Sequence, residues 1–353
     1  MTISQPQYAA ALQVQHRAAY DVSAAPGIAG DGGSVQAPSV IRPLFIGGCE
    51  RSGTTMLGAM VGAHSRSVCV PESHFIEHLL TQDGFDPEAI EPGKTLAAIV
   101  AHRRYRLLWD LPLDSDAVDA AELGSTYAEL LSWLVRAYGG RLGKTGALLW
   151  VDHTPSNFKR GLTMLRMFPE ARFIHLVRDG RGVAASLLPL DWGPNDILSA
   201  ADFWMARCAA GLAAELQLGS ERVLRVRYED LLLNPEATLR AIAVFAGLPY
   251  ESAMTQGTGH GPSRYNQRQH RLVGQPPDQS RAHSWNRCLT PRQIEIFESE
   301  DGELLETLGY QPDYGIRARP PRPAELFRMS LGAAVLRVRN NLRRRRRVRA
   351  SLT

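Results

Sequence analysis

Cysteine is scarce in this chain: four residues among 353, Cys49, Cys69, Cys208 and Cys288, with no metal-ligand spacing and no dense disulfide framework. A reducing compartment is therefore expected, and no metal requirement. No run of about 18 apolar residues occurs, and the first residues lack a charged segment followed by an apolar core. Neither membrane span nor export signal is expected, and the setting should be cytoplasmic. No internal repeat is evident. An excess of positive charge is missing from most of the chain, although the net charge is +4: residues 317–353 hold twelve Arg and one acid, or +11, which leaves −7 for residues 1–316. Basicity thus belongs to a tail, and with no recognition motif beside it nucleic-acid binding is not expected.

What is present is an ordinary globular composition, 44% apolar and 22% charged, in a length that suits one large α/β domain with insertions or two small ones. Residues 1–40, rich in Ala, Gln and Gly, cannot bury much and should form a mobile arm. The chemistry starts after them. Leu44–Ile46 is a short apolar strand candidate, and Met56, Leu57, Met60 and Val61 have helical spacing. Between them, Gly48 to Thr55 follows the order of a phosphate-cradling loop, with Thr54 where the lysine would be. Backbone N–H groups at the helix start still face an anion, and the positive charge has moved to Arg51. Such a loop is poorly equipped to pull on a transferring γ-phosphate. It suits a terminal 5′-phosphate that stays with a leaving group.

Arg51-Ser52-Gly53-Thr54-Thr55 after a strand resembles the 5′-phosphosulfate loop of sulfotransferases that use 3′-phosphoadenosine 5′-phosphosulfate (PAPS), most of all the tyrosylprotein and Golgi-type branch. The resemblance extends over roughly residues 43–312, with the 75–140 insertion outside it. Ala171–Val177 is a strand candidate ending in Arg178-Asp179-Gly180, with Ser186 eight residues beyond the arginine, which is similar to the family's 3′-phosphate site. Arginine offers a forked donor set there. The branch tends to carry a further arginine four residues after that serine, and here the position is Leu190. Val223–Leu231 reads as a strand running into a turn; Tyr228, in its Tyr-Glu-Asp-Leu stretch, inherits the family's place near the adenine, while Glu229 and Asp230 brace the turn. Ser280 and Arg281, before Trp285, fit the segment that folds over the donor. Thr290-Pro291 through Gly309 is similar to the closing helix, with N-cap, first position and stop in order.

The resemblance also names catalytic candidates. Val68-Cys69-Val70 is a short strand candidate stopped by Pro71, so Glu72 sits at a strand end and matches the family's catalytic glutamate, the base for an acceptor hydroxyl; capping of a helix near Ser73 is the alternative. Ala147–Val151 is a strand candidate ending in Asp152-His153-Thr154-Pro155, where the family commonly has a lysine at the bridging oxygen of PAPS. His153 stands in that place, as a hydrogen-bond donor, as a proton donor, or merely as a helix cap. His74 and His153 are the reserve bases. Taken alone, a strand ending in Asp152 imitates the magnesium-holding carboxylate of a nucleotide hydrolase.

The expected fold is α/β, a P-loop-like three-layer arrangement with a central parallel sheet flanked by helices. The expected organisation is an arm over 1–40, a sulfotransferase domain over 41–316 with a helical acceptor-side insertion at 75–140, and an Arg-rich amphipathic tail over 317–353. In that tail Phe327, Leu331, Ala334, Val335, Val338 and Leu342 share one helical stripe. It can lie on an anionic membrane, dock on the acidic body, or stay a free tail. The expected reaction is sulfuryl transfer from PAPS to an acceptor hydroxyl of protein tyrosine, sugar, lipid or small metabolite, releasing 3′,5′-ADP. A P-loop kinase or hydrolase and a non-catalytic membrane-associated nucleotide-binding module are the alternatives.

Overall fold

The computed structural model describes residues 40–352 except 264, 266, 268, 269, 271 and 272; the arm expected over 1–40 lies outside them, Val40 apart. Five short strands are built from nearly continuous apolar runs, as strands covered on both faces must be. They are β1 (Arg42–Gly48), β2 (Ser67–Val70), β3 (Leu149–Asp152), β4 (Arg172–Val177) and β5 (Val223–Arg227). All pair in parallel, in the order β2-β3-β1-β4-β5. Because β1, β4 and β5 are neighbours running the same way, the loops after Gly48, Val177 and Arg227 leave the sheet along one edge. Ligands of open α/β sheets are held at that edge.

Side chains alternate along each strand and so define the two outer layers. Leu44, Ile46, Val151, Ile174, Leu176 and Val226 pack with α1 (Thr54–Gly62), the helix that follows the phosphate loop. Phe45, Trp150 and Phe173 take the opposite face, with Phe45 5.5 Å from Trp150 and 5.3 Å from Phe173 between ring centres. Onto that face fold α2 (His74–Leu80), α3 (Pro92–Ala101), α4 (Arg103–Leu108) and α5 (Tyr127–Arg141), through Phe75, Leu96, Tyr105 and Leu130 among others. The apolar spacing over 95–109 is shared by two helices rather than one, since His102 is extended at φ −62°, ψ 128° and parts α3 from α4. Thr126 and Glu129 close a capping box at the start of α5.

After β3 comes α6 (Gly161–Met167), and after β4 come α7 (Gly180–Leu187) and α8 (Ile197–Leu218). By length and composition α8 is apolar enough to cross a membrane. Its inner side is already committed: Trp204 and Cys208 are buried against α7 and the closing helix. Tyr228, expected in a turn, instead opens α9 (Tyr228–Leu233) directly at the end of β5, and α10 (Pro235–Ala246) follows. Among the described residues the remaining α-helices are α11 (Trp285–Cys288), α12 (Pro291–Thr307) and α13 (Pro323–Leu352). Thr290 and Gln293 form a capping box for α12, and Gly309, at φ 82°, follows its end.

Candidate active site

The phosphate loop turns tightly enough to force two residues out of ordinary backbone space, Arg51 at φ 72° and Gly53 at φ 97°. Only glycine fits at 53, because a Cβ there would lie 2.7 Å from Cδ2 of Tyr228. Gly53 caps α1 without a side-chain hydrogen bond, and the first turn carries no acid. The N–H groups of Thr54 and Thr55 therefore open an anion site with the helix dipole behind it. Ser52 is fully buried beneath, its Oγ without a partner.

Sequence positions 127 and 135 residues apart meet at this loop. Nη1 of Arg178 donates to the Arg51 carbonyl at 2.7 Å, and Nε of Arg51 donates to Oγ of Ser186 at 3.2 Å. The Arg178 guanidinium stands 4.4 Å from the centre of the Tyr228 ring, a cation–π contact that fixes both. Trp204 Nε1 donates to the Arg178 carbonyl at 3.1 Å, and the Asp179 amide donates to Glu229, so the strand-end turn is braced from behind. Burial, and next the charge of Arg178, pull the pKa of Arg51 below its usual value. Arg178, buried, and Arg51, half-buried, bring two guanidiniums to a helix N-terminus, an arrangement that favours an anion.

These residues line a cavity of about 370 Å³. Arg51, Gly53, Thr54, Thr55, Arg178, Ser186, Tyr228, Arg281 and Glu72 all reach it, as the sequence led one to expect. Ser280 does not. Its Oγ donates to Asp278 at 2.7 Å, and it lines a separate shallow surface with His283 and Arg287. His153 does not line the cavity either. Its ring is 2% exposed, faces the interior 5.0 Å from the ring of His260, and has no partner on either nitrogen. Burial holds its pKa down at about 4, so it is a neutral imidazole. The place expected for a cation at the bridging oxygen is thus turned inward, because the packing beside Gly58 and Cys69 takes up the ring.

Glu72 faces the cavity from the end of β2. His74, the first residue of α2, places its Nε2 2.7 Å from Oε2 of Glu72. Burial tends to raise the Glu72 pKa, but the His74 hydrogen bond and the charges of His74, His153 and His270 outweigh it and hold it at about 2. Helix capping does not explain this carboxylate: Ser73 is the N-cap of α2, and no side chain caps it. Asp152 is wholly buried, and its Oδ1 accepts from the Thr154 amide at 2.8 Å and from Asn157 Nδ2 at 3.0 Å. It shapes a turn and does not line the cavity.

Among the charged and imidazole side chains that line the cavity, Glu50, Arg104 from α4, Arg207 from α8, His270 and Arg344 from α13 went unmarked in the sequence. Arg207 pairs with Glu50 at 3.1 Å. Arg104 belongs to a basic cluster that looks like a solvated helix face, and nothing local distinguishes it. Leu190 stands where the resemblance implies an arginine, and its carbonyl accepts from Asn340 Nδ2 at 3.4 Å. One turn further along α13, Arg344 brings a guanidinium to the cavity. In all, six arginines and two glutamates line it.

A model of the sulfotransferase family matches residues 43–252, more than half of the chain. This chain belongs to the sulfotransferase family. Protein-tyrosine sulfotransferase A of Caenorhabditis elegans is 24% identical over 295 residues, covering 80% of this chain and 70% of that protein. Protein-tyrosine sulfotransferase 2 of Gallus gallus is 24% identical over 222 residues, 60% of this chain and 52% of that one. The chain therefore spans about half to two thirds of these relatives. The sulfotransferase domain of the Synechococcus PCC 7002 olefin synthase superposes with a TM-score of 0.54 at 23% identity, covering 78% of this chain and 98% of that domain. It bears out the three-layer α/β fold. Family membership establishes sulfuryl transfer as the general chemistry of this sulfotransferase, and the residues present suit a doubly anionic nucleotide donor: an open helix N-terminus, the neighbouring guanidiniums of Arg51 and Arg178, and an orphaned Ser52 hydroxyl.

Proposed function

We propose that this sulfotransferase takes its sulfuryl group from PAPS and passes it to an acceptor hydroxyl by in-line displacement, releasing 3′,5′-ADP. The observation that carries this is the joining of Arg51, Arg178 and Ser186 at the N-terminus of α1. The Thr54 and Thr55 amides and Arg51 hold the 5′-phosphosulfate, Arg178 and Ser186 the 3′-phosphate, and Tyr228 the adenine. PAPS supplies an electrophilic sulfur and a phosphate leaving group. The acceptor oxygen forms a bond to sulfur as the bridging S–O bond breaks, and the hydroxyl proton passes to Glu72. Stabilisation of the leaving phosphate falls to Arg51 and the loop amides, since His153 points away. No metal ion is needed for these steps. The curated relatives are named protein-tyrosine sulfotransferases, which favours a phenolic hydroxyl as acceptor.

The experiment is calorimetry with two ligands. 3′,5′-ADP in EDTA should bind well, and ATP with magnesium much more weakly. A preference for ATP and magnesium would overturn the reading in favour of a kinase or hydrolase. That rival lacks a lysine at position 54, and its magnesium carboxylate, Asp152, is wholly buried and does not line the cavity.

The setting belongs to the same proposal. The four cysteines are unbridged, which suits a reducing cytoplasm. Helix α13 turns its apolar stripe outward, which supports peripheral contact with an anionic membrane.

A further inference from the structure

Behind the phosphate-loop helix, outside the cavity, three side chains with lone pairs meet in the core. Cys69 comes from β2, His153 from the residue after β3, and His260 from the segment that follows a short turn of helix at Ser252–Gln256. One donor atom from each lies within 4.8 Å of the other two. Their exposures are 0%, 2% and 8%. Both nitrogens of His153 and Nδ1 of His260 have no hydrogen-bond partner. A buried donor or acceptor left unmatched is costly, so three together in one place need an explanation.

The chemistry of the trio supplies one. The other nitrogen of His260 is hydrogen-bonded to the Cys69 backbone, which leaves the Nδ1 lone pair free to ligate. That arrangement, one ring nitrogen tied to a carbonyl and the other free, is how metal-binding histidines are oriented. One thiolate and two neutral imidazoles favour a thiophilic, tetrahedral ion. Zinc bond lengths would set the donors about 3.4–3.6 Å apart, a contraction of at most about 1.4 Å from separations that are all within 4.8 Å. Lys144, whose ammonium donates to the carbonyls of Gly62, His64 and Ser67, offsets part of the charge of Asp152 beside Cys69.

The backbone around the trio is shaped to bring it together. A Cβ on Gly58 would stand 3.0 Å from the His153 side chain and 3.1 Å from Cys69 Sγ, and a Cβ on Gly259 would collide with the Gly62 backbone at 1.9 Å. The Gly259 amide donates to the Ala59 carbonyl at 3.0 Å, so the His260 segment is docked along α1. The same segment runs on to His270, Val273 and Arg281, which line the cavity.

We propose that Cys69, His153 and His260 bind a zinc ion, which ties the 257–284 segment to the sheet beneath the phosphate-loop helix. The Cys69 thiol gives its proton to solvent on binding, and a fourth position stays open to a small ligand. The ion is structural, away from the sulfuryl transfer.

The test uses the full chain, stripped with a chelator, reloaded with zinc chloride and passed over a desalting column. One zinc per chain should remain. Cobalt in place of zinc should give a thiolate-to-metal charge-transfer band in the near ultraviolet. Cys69→Ser should abolish that band and weaken zinc binding by about 10²-fold, and His260→Gln should weaken zinc by at least ~10-fold while keeping a thiolate band at high cobalt. Zinc should slow proteolytic cutting between 257 and 284 in the natural chain and not in Cys69→Ser. Should Cys69→Ser misfold, as judged by circular dichroism, His260→Gln carries the comparison, since its side chain lies on the segment rather than in the sheet. Cys288→Ser, at an exposed cysteine, should change nothing. Zinc well below one per chain, no cobalt band, or retention of both in Cys69→Ser overturns the assignment.

Discussion

The Nε2 of His74 lies 2.7 Å from Oε2 of Glu72, and this pair decides what kind of base the site contains. A carboxylate held at a pKa of about 2 is ionised at every working pH, and it stands at the strand end where the acceptor must approach. Its proton affinity is low, so its contribution rests on position as the hydroxyl attacks. Glu72→Gln keeps the shape and removes the charge. Turnover should fall by about 10²-fold or more, with 3′,5′-ADP affinity within about twofold of the natural chain. Near-normal turnover under conditions where chemistry limits the rate would remove Glu72 from the mechanism and leave His74 as the base.

The pH dependence of the same pair gives a separate prediction. In the natural chain the depressed pKa keeps Glu72 charged down to about pH 3, so kcat/KM should show no acid limb from it at ordinary pH. His74→Gln removes the largest lowering influence and leaves burial, which acts upward, against the charges of His153 and His270. The Glu72 pKa should then rise, and the acid limb of the profile should move to higher pH. An unchanged profile would mean that His74 does not set the protonation of Glu72 during turnover.

The donor end should respond to Arg178. It touches the Arg51 carbonyl and the Tyr228 ring, so Arg178→Ala removes a charge and loosens both neighbours. A charge-assisted hydrogen bond is worth about 1.5–3 kcal/mol, and 3′,5′-ADP affinity should drop by ~10- to 100-fold. Adenosine 5′-phosphate, which lacks the 3′-phosphate, should lose far less. Equal losses for both nucleotides would show that Arg178 serves the loop and not the 3′-phosphate.

What was legible from residues alone, and what was not, follows the range of the forces involved. The phosphate loop, Arg178 and Ser186 were legible because turn geometry, strand ends and helical spacing are local, and an eight-residue interval already fixes their separation. The closing helix was legible for the same reason, with Thr290, Pro291 and Gly309 marking its ends. Arg104, Arg207 and Arg344 were not, because each sits on a helix whose rotation about its axis is set by distant packing. His153 was misplaced for a related reason. Its neighbour in sequence turns at Asp152, but its ring is captured by Cys69 and His260, 84 and 107 residues away, and no pattern near position 153 announces that.

Stability should depend on pH through Asp301, at a bend in α12 where φ is −119°. The side chain is buried and its Oδ2 has no partner. Burial, then the charges of Asp202 and Glu300, raise its pKa to about 7. A folded-state pKa above the unfolded value of ~3.9 means that its contribution is fully present below ~3.9 and is lost as pH climbs towards 7. Asp301→Asn should therefore stabilise the protein at pH 8, by on the order of 1–2 kcal/mol, and lose that advantage near pH 4. Thermal melts at the two pH values check it. Equal effects at both would point to a packing change instead of a charge.

The last expectation concerns α13. With about 100° between successive residues, Phe327, Leu331, Val335, Val338 and Leu342 share one side of the helix, and their exposures are 71%, 61%, 64%, 64% and 55%. Ala333 and Asn340 lie on the other side and are buried, with Asn340 bonded to Asn195 at 2.9 Å. The helix is thus docked on the body by its narrow face while its apolar stripe faces outward. Nine arginines and one glutamate within Pro323–Leu352 make self-association through that stripe costly and an anionic surface attractive. The apolar stripe and the charge should act together, as in interfacial helices. Vesicles containing anionic lipid should co-sediment the natural chain at low salt, and added salt should release much of it. Leu331→Asp with Val338→Asp should weaken binding by at least ~10-fold while leaving 3′,5′-ADP affinity intact, because neither side chain touches the cavity. If the double variant sediments like the natural chain, the stripe does not meet the membrane and the arginines alone hold the lipid. If deletion of residues 325–353 also changes nothing, α13 is not the contact at all.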